Sequence, residues 1–321
     1  MSKRTAVRRA GKAGSREGIN PRQPCPCGSG RRYKACHGSA GGAEDVLVTR
    51  PFAGLAAEPE LVALREFVPS ATARLPLRED VAAQREITLA TVLPMAAAAL
   101  VRADGTAFVG LQVQTRSGDI SRDVARAVRW ALTAEPGDAL PVVGRGTGED
   151  PGRLQDLVPA DAVLEPELHP DFAWWIPEDT QPTGEVALSL ERANSAIMPT
   201  ERVTGAGVRA AYWVDAGEKA HLRWVRPEPE ERLLAAMARL SARGELDLGE
   251  GSRYAGSFRA HGTLVPVWDL DRERHSREWA GPAEALAKRL DDALATVESE
   301  PLGEAERRAR DGLRGRQVTL R

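Results

Sequence analysis

Three times along this chain, two short apolar runs flank a turn and a helical period follows. A chain written that way must pair its strands through hairpins and cover them with helices. The first unit runs from Ala98 to Thr115 and is broken at Asp104-Gly105, a dipeptide that signals a hairpin when it separates apolar runs. A helix is expected from Ser121 to Ala134, with Val124, Val128, Ala131 and Leu132 on its buried face and Pro136-Gly137 beyond its end. The second unit pairs Tyr212-Trp213-Val214 with Leu222, Trp224 and Val225 across Asp215-Ala216-Gly217. Its helix spans Glu230 to Arg243 and carries Leu233, Met237 and Leu240 as a stripe. The third spans Ser257 to Leu270 around His261-Gly262, and its helix runs from Pro282 to Val297 with Leu286, Leu290, Leu294 and Val297 on one face. The expected class is therefore α+β, an antiparallel sheet with helices packed on one face and built from repeated hairpin-helix units.

The first and third units match locally, Val101-Arg102-Ala103-Asp104-Gly105-Thr106 against Phe258-Arg259-Ala260-His261-Gly262-Thr263, although six positions are too few to establish a duplication. Between the first and second units, about 138 to 207, the chain is rich in Pro and Gly and reads as a long connection. Phe172, Trp174, Trp175 and Ile176 are its expected anchors on the body.

Hydrophobic residues make up 42% of the 321 and charged residues 28%, which fits a folded chain rather than a disordered or fibrous one. The longest apolar stretch, Leu89 to Val101, has 13 residues and includes Thr91 and Pro94. A membrane span needs about 20, so no integral membrane segment is expected. The basic N-terminus leads into no apolar run of the kind a signal peptide carries, and a cytoplasmic protein is the expectation.

The net charge of −2 conceals an asymmetry. Residues 1–37 hold ten Lys or Arg against the single acid Glu17, a local +9, and residues 304–321 carry +3. The remainder, 38–303, stands at −14 for the whole to reach −2. The chain reads as an acidic body with basic ends. Arginine outnumbers lysine 39 to 5, which either codon bias or a use for planar, bidentate contacts would explain. Four segments are expected: a flexible basic arm at 1–22, a cysteine-bearing knuckle at 23–38, an α+β body at 43–302 beyond a Gly-rich linker, and a basic charged tail at 303–321 expected to be solvated or disordered.

All three cysteines lie within twelve residues, in Pro24-Cys25-Pro26-Cys27-Gly28-Ser29-Gly30-Arg31-Arg32-Tyr33-Lys34-Ala35-Cys36-His37-Gly38. Cys25, Cys27, Cys36 and His37 supply three thiolates and an imidazole, the donor set of a closed, tetrahedral zinc site. Ligands one residue apart share a metal only where the backbone turns sharply, which Gly28 and Gly30 permit. Fifteen residues hold no core, so bound zinc, worth about 10–16 kcal/mol in small peptides, would order them.

This spacing resembles the SEC-C motif, the short zinc-binding tail best known at the C-terminus of the SecA preprotein translocase ATPase and found on many uncharacterised bacterial proteins. The glycines, the Tyr33-Lys34 pair and the Cys36-His37 end all fall in place over about 15 residues. The resemblance implies the ligands Cys25, Cys27, Cys36 and His37, and a role in engaging a protein partner, as the SecA tail engages the export chaperone SecB and acidic lipid surfaces. It stops at the knuckle. No Gly-x-x-x-x-Gly-Lys-Ser/Thr phosphate loop exists in the chain, so a translocase motor is not expected.

Other candidates are weaker. Asp269, Asp271 and Glu273 would share one side of a continued strand and could hold a divalent cation, although a solvated strand end explains them more simply. His169 and Asp171 flank a proline in what reads as a turn; His261 reads as a hairpin residue; Gly144, Gly146 and Gly148 read as a loop rather than a phosphate cradle. There is no Gly-x-Ser-x-Gly elbow or His-Glu-x-x-His helix, and no catalytic residue is assigned. The expectation is a zinc-binding, non-enzymatic protein whose knuckle docks a protein partner. The alternative is a nucleic-acid or ribosome-associated protein that uses residues 1–37.

Overall fold

In the computed structural model the described residues are 32, 47–81, 85–114, 117–143, 151–177 and 180–318. The chain divides into two units, residues 1–47 and 48–321. The basic arm, the knuckle and the Gly-rich linker lie outside the described residues, Arg32 excepted.

The second unit opens on α1 (Glu58–Glu66), with Pro59 in the first turn, where a missing N–H costs nothing, and with Glu58 and Glu60 at the positive end of the helix dipole. Every residue from Glu58 to Leu64 is buried. A helix can be buried all round only if something covers each side, and here two sheets do. One core joins Leu61, Val62 and Leu64 of α1 to residues of the first sheet and to Tyr212, Val225 and Val265 of the second.

The first sheet holds β1 (Ala71–Arg74), β2 (Ile87–Ala90), β3 (Ala99–Val101), β4 (Ala107–Gly110), β5 (Ala139–Leu140) and β6 (Glu167–Leu168) in the order β5-β3-β4-β2-β1-β6. Its third and fourth strands form the expected hairpin. The amphipathic helix α2 (Ile120–Thr133) follows, Asp119 capping it by accepting from the Ser121 N–H, and it buries Val124, Val128 and Ala131. Because β4 folds back between β3 and β2, β2 and β4 run parallel.

The second sheet is wholly antiparallel, β10-β11-β9-β8-β7, with β7 (Thr200–Gly205), β8 (Val208–Asp215), β9 (Ala220–Trp224), β10 (Ser252–Ala260) and β11 (Thr263–Leu270). The second and third units lie here, as β8-β9 followed by α4 (Glu230–Arg243) and β10-β11 followed by α5 (Ala280–Thr296). Leu233, Met237 and Leu240 of α4 meet Leu286, Leu290 and Leu294 of α5 over Trp224 and Trp268. Trp268 keeps its indole N–H satisfied at Leu246 O, 2.8 Å away.

Three expectations need correction. One antiparallel sheet becomes two sheets, the first mixed, and the second is covered on both faces because α1 packs opposite its helices. The stretch 138–207 is not one loop: it contains β5, β6, α3 (Gly184–Ser195) and the whole of β7. Its aromatic anchors do dock, Trp174 donating to Ser70 Oγ at 2.9 Å and Trp175 to Val92 O at 3.0 Å. The matched hexapeptides form different turns, five residues (102–106) with one positive φ at Gly105 against two, His261 and Gly262, both positive. A Cβ at Gly262 would also meet Thr49 O at 2.8 Å.

The charged tail, finally, contains α6 (Glu304–Gly315), which turns Ala309 and Leu313 into the core beneath α4 and α5. Beyond it residues 316–318 run beside β10, where Ser257 N donates to Arg316 O at 3.1 Å and Val318 N to Ser257 O at 3.0 Å. Gly256 makes that approach possible, since a Cβ there would lie 2.8 Å from Arg316 O and 2.9 Å from Val318 Cγ2. Gly256→Ala should lower stability by about 1–3 kcal/mol and speed carboxypeptidase trimming of the tail. A urea midpoint equal to the native one would show that the tail is not seated there.

Candidate functional site

Between the sheets, α1 presents two carboxylates to the second sheet. Glu58 receives Nε and Nη2 of Arg50 at 2.7 and 2.6 Å, and Arg50 also donates to Pro227 O at 2.6 Å. Glu60 accepts from Arg202 Nη2 at 2.8 Å, from Ala210 N at 3.0 Å and from the Tyr212 hydroxyl. Burial, and then the negative charge of Glu60, push the Tyr212 hydroxyl well above its ordinary pKa, so it stays a donor. Glu66, at the other end of α1, meets His261 Nε2 at 2.6 Å. That hydrogen bond holds the Glu66 carboxyl below its ordinary value although burial opposes it.

Further along the same face the balance changes. In β9, Ala220, Leu222 and Trp224 face the helices, so His221 and Arg223, and Val225 just beyond the strand, face the side of α1. Arg223 lies in register between Tyr212 on β8 and Val267 on β11. It is only 7% exposed, and its guanidinium carbon sits 5.7 Å from the centroid of Phe67. Among the described residues it has no hydrogen-bond or ion-pair partner, and burial alone lowers its pKa. One pair along the strand, His221 Nδ1 stands 3.3 Å from Asp269 Oδ1, with the imidazole pushed down first by burial. Asp269 is itself engaged by Lys219 Nζ at 2.8 Å and Arg253 Nη2 at 3.0 Å. Burial works to raise the Asp269 carboxyl, and these two cations outweigh it and hold it low.

These contacts decide the candidates read from the sequence. β11 ends at Leu270, so Asp271 and Glu273 leave the strand, and Asp271 Oδ1 accepts from Glu273 N at 3.0 Å in a turn. Asp269 faces cations instead of a shared metal. His169 Nε2 bonds Thr72 Oγ1 at 2.8 Å, while the Asp171 carboxylate accepts from Ala173 N at 2.8 Å, so they do not act together. Among the described residues no group of three or more His, Cys, Asp or Glu is placed to hold a metal, and no helix is long and apolar enough to cross a membrane. Cys25, Cys27, Cys36, His37 and the 144–148 glycines lie outside the described residues. A cleft of about 640 Å³ opens on the first sheet beside Thr88, Arg102, Phe108 and Trp174.

Arg223 and Glu60 were not singled out in the sequence. A signal exists for the first, since Ala220-His221-Leu222-Arg223-Trp224 alternates, but alternation reads as a solvated face. Nothing local marks the second face as covered.

The fold and the cysteine cluster define a two-sheet α+β body preceded by a SEC-C motif. The chain belongs to a family of unknown function, DUF5926, whose profile matches residues 51–321. The SEC-C motif itself matches residues 22–39, a span that includes Cys25, Cys27, Cys36 and His37. No curated protein and no solved structure matches the chain.

The Glu66 and His261 contact gives stability a defined pH dependence. A carboxyl whose folded value is depressed contributes fully above the unfolded value, near 4.5, and loses that contribution as pH falls through the folded one. Native protein should therefore lose stability more steeply than Glu66→Gln on acidification below about pH 5. Parallel curves in urea titrations at each pH would show that the contact contributes nothing.

Proposed function

We propose that this protein binds one zinc ion through Cys25, Cys27, Cys36 and His37 and presents the resulting loop as a docking element for a protein partner. The observation that carries the reading is the SEC-C match over residues 22–39, which contains all four donors. Three thiolates and an imidazole are suited to zinc and leave no open position for a reacting water, which supports a structural metal over a catalytic one. Free thiols of this kind persist in a reducing compartment, which supports a cytoplasmic location. Zinc would fix the conformation of Arg31, Arg32 and Lys34, and an acidic surface is the complementary partner.

A second reading, nucleic-acid or ribosome association, is favoured by the +9 charge of residues 1–37. Phosphate contacts of that kind weaken steeply with salt.

Cys27→Ser should abolish zinc uptake, from one ion per chain to none by elemental analysis, while the melting of the body is unchanged. Retained zinc would overturn the ligand assignment. An affinity capture comparing the full chain with one lacking residues 1–42, each with and without nuclease, separates the two readings. A zinc-dependent partner that survives nuclease supports protein docking, one lost with nuclease supports nucleic acid, and identical captures from both chains would reject the knuckle as the recognition element.

A further inference from the structure

Arg223 raises a question of charge balance that its surroundings leave open. The other buried arginines among the described residues are paired: Arg226 with Glu228 at 2.7 Å, and Arg239 with Glu306 at 3.9 Å. Arg223 is 7% exposed, has no acceptor among the described residues, and is strained toward neutrality by burial. A buried charge without a counter-charge costs several kcal/mol, and no acid among the described residues is positioned to reduce that cost. His221, two residues along the strand on the same face, brings no counter-charge, and Asp269 is already shared between Lys219 and Arg253. The walls are aromatic: Phe67 lies under the guanidinium, 6.0 Å from Phe258, and both rings are partly exposed. The Tyr212 hydroxyl donates to Glu60, and no hydrogen bond from Arg223 reaches it.

We propose that Arg223, with His221 beside it, is the receptor for a small oxyanion, a phosphate or phosphomonoester bound against the inner face of the second sheet at the C-terminal end of α1. The guanidinium would supply paired N–H donors to two oxygens, the geometry in which arginine surpasses lysine. Phe67 and Phe258 would form the apolar wall for any ester group. The site is separate from the zinc-binding reading and stands or falls without it.

Isothermal titration of the full-length protein with inorganic phosphate and with phenyl phosphate, against chloride at matched ionic strength, tests the assignment. Saturable one-to-one binding of phosphate is expected, tighter for phenyl phosphate if an ester is the natural ligand and equal if free phosphate is. Arg223→Met should lose the binding altogether, and its free form should melt no lower than the native free protein. Arg223→Lys should weaken binding at least tenfold while keeping the charge. Absence of saturable binding to native protein, or affinity unchanged in Arg223→Lys or Arg223→Met, would overturn the proposal. Should Arg223→Met fail to fold, Arg223→Lys alone decides.

Discussion

The structure depends on one buried carboxylate, Glu60. Helix α1 is nine residues long, too short to persist in water by itself, and is buried on both sides. Apolar packing alone would let so small an element slide or rotate between two sheets. Glu60 prevents this because its acceptors are taken by three donors from β7 and β8, namely the guanidinium of Arg202, the Ala210 N–H and the Tyr212 hydroxyl. Removing one partner of such a set strands a charge at a cost of about 3–5 kcal/mol. The network thus fixes the register of α1 against the second sheet, and through α1 the first sheet. Arg50 does the same at the start of the helix, linking Glu58 to the backbone at Pro227.

That these links are made by arginine is consistent with the 39 to 5 excess over lysine. Arg50 reaches both Glu58 oxygens and a carbonyl at once, and Arg259 reaches both Glu230 oxygens at 2.8 Å or less. A lysine ammonium offers no planar pair of donors for such a carboxylate. Codon bias can supply arginines, but their bidentate placement reflects packing.

Hairpins and helices were legible because their signals are local. Asp104-Gly105 and His261-Gly262 announce turns within two residues, and the stripes Leu233, Met237, Leu240 and Leu286, Leu290, Leu294 repeat at helical spacing. How the strands group is a long-range matter. Nothing in Ile87–Ala90 states that β4 rather than β3 will be its neighbour, and that choice makes the first sheet mixed. Edge strands β5 and β6 have two residues each, below any periodicity. The tail misled by composition: three acids and six arginines suggest solvation, yet Ala309 and Leu313 one turn apart suffice to dock α6. The zinc donors were legible for the opposite reason, since four ligands within 13 residues carry their own geometry.

Tyr212 and Arg223 are cross-strand neighbours on one face, and they show how a scaffold differs from a candidate site. Around Tyr212 the buried charges find their complements inside the chain: Glu60 is negative, Arg202 is positive, and Glu165 accepts from Arg202 Nη1 at 2.7 Å. That cluster needs nothing from solution, so its loss would cost stability alone. One strand away the same face offers Arg223 an aromatic ring in place of a carboxylate. Cation–π contact returns about 1–2 kcal/mol to a desolvated arginine, less than the burial of its charge requires. The deficit is what an external anion would remove, and it lies where α1 ends and its own acids, Glu58, Glu60 and Glu66, are already bound to other partners.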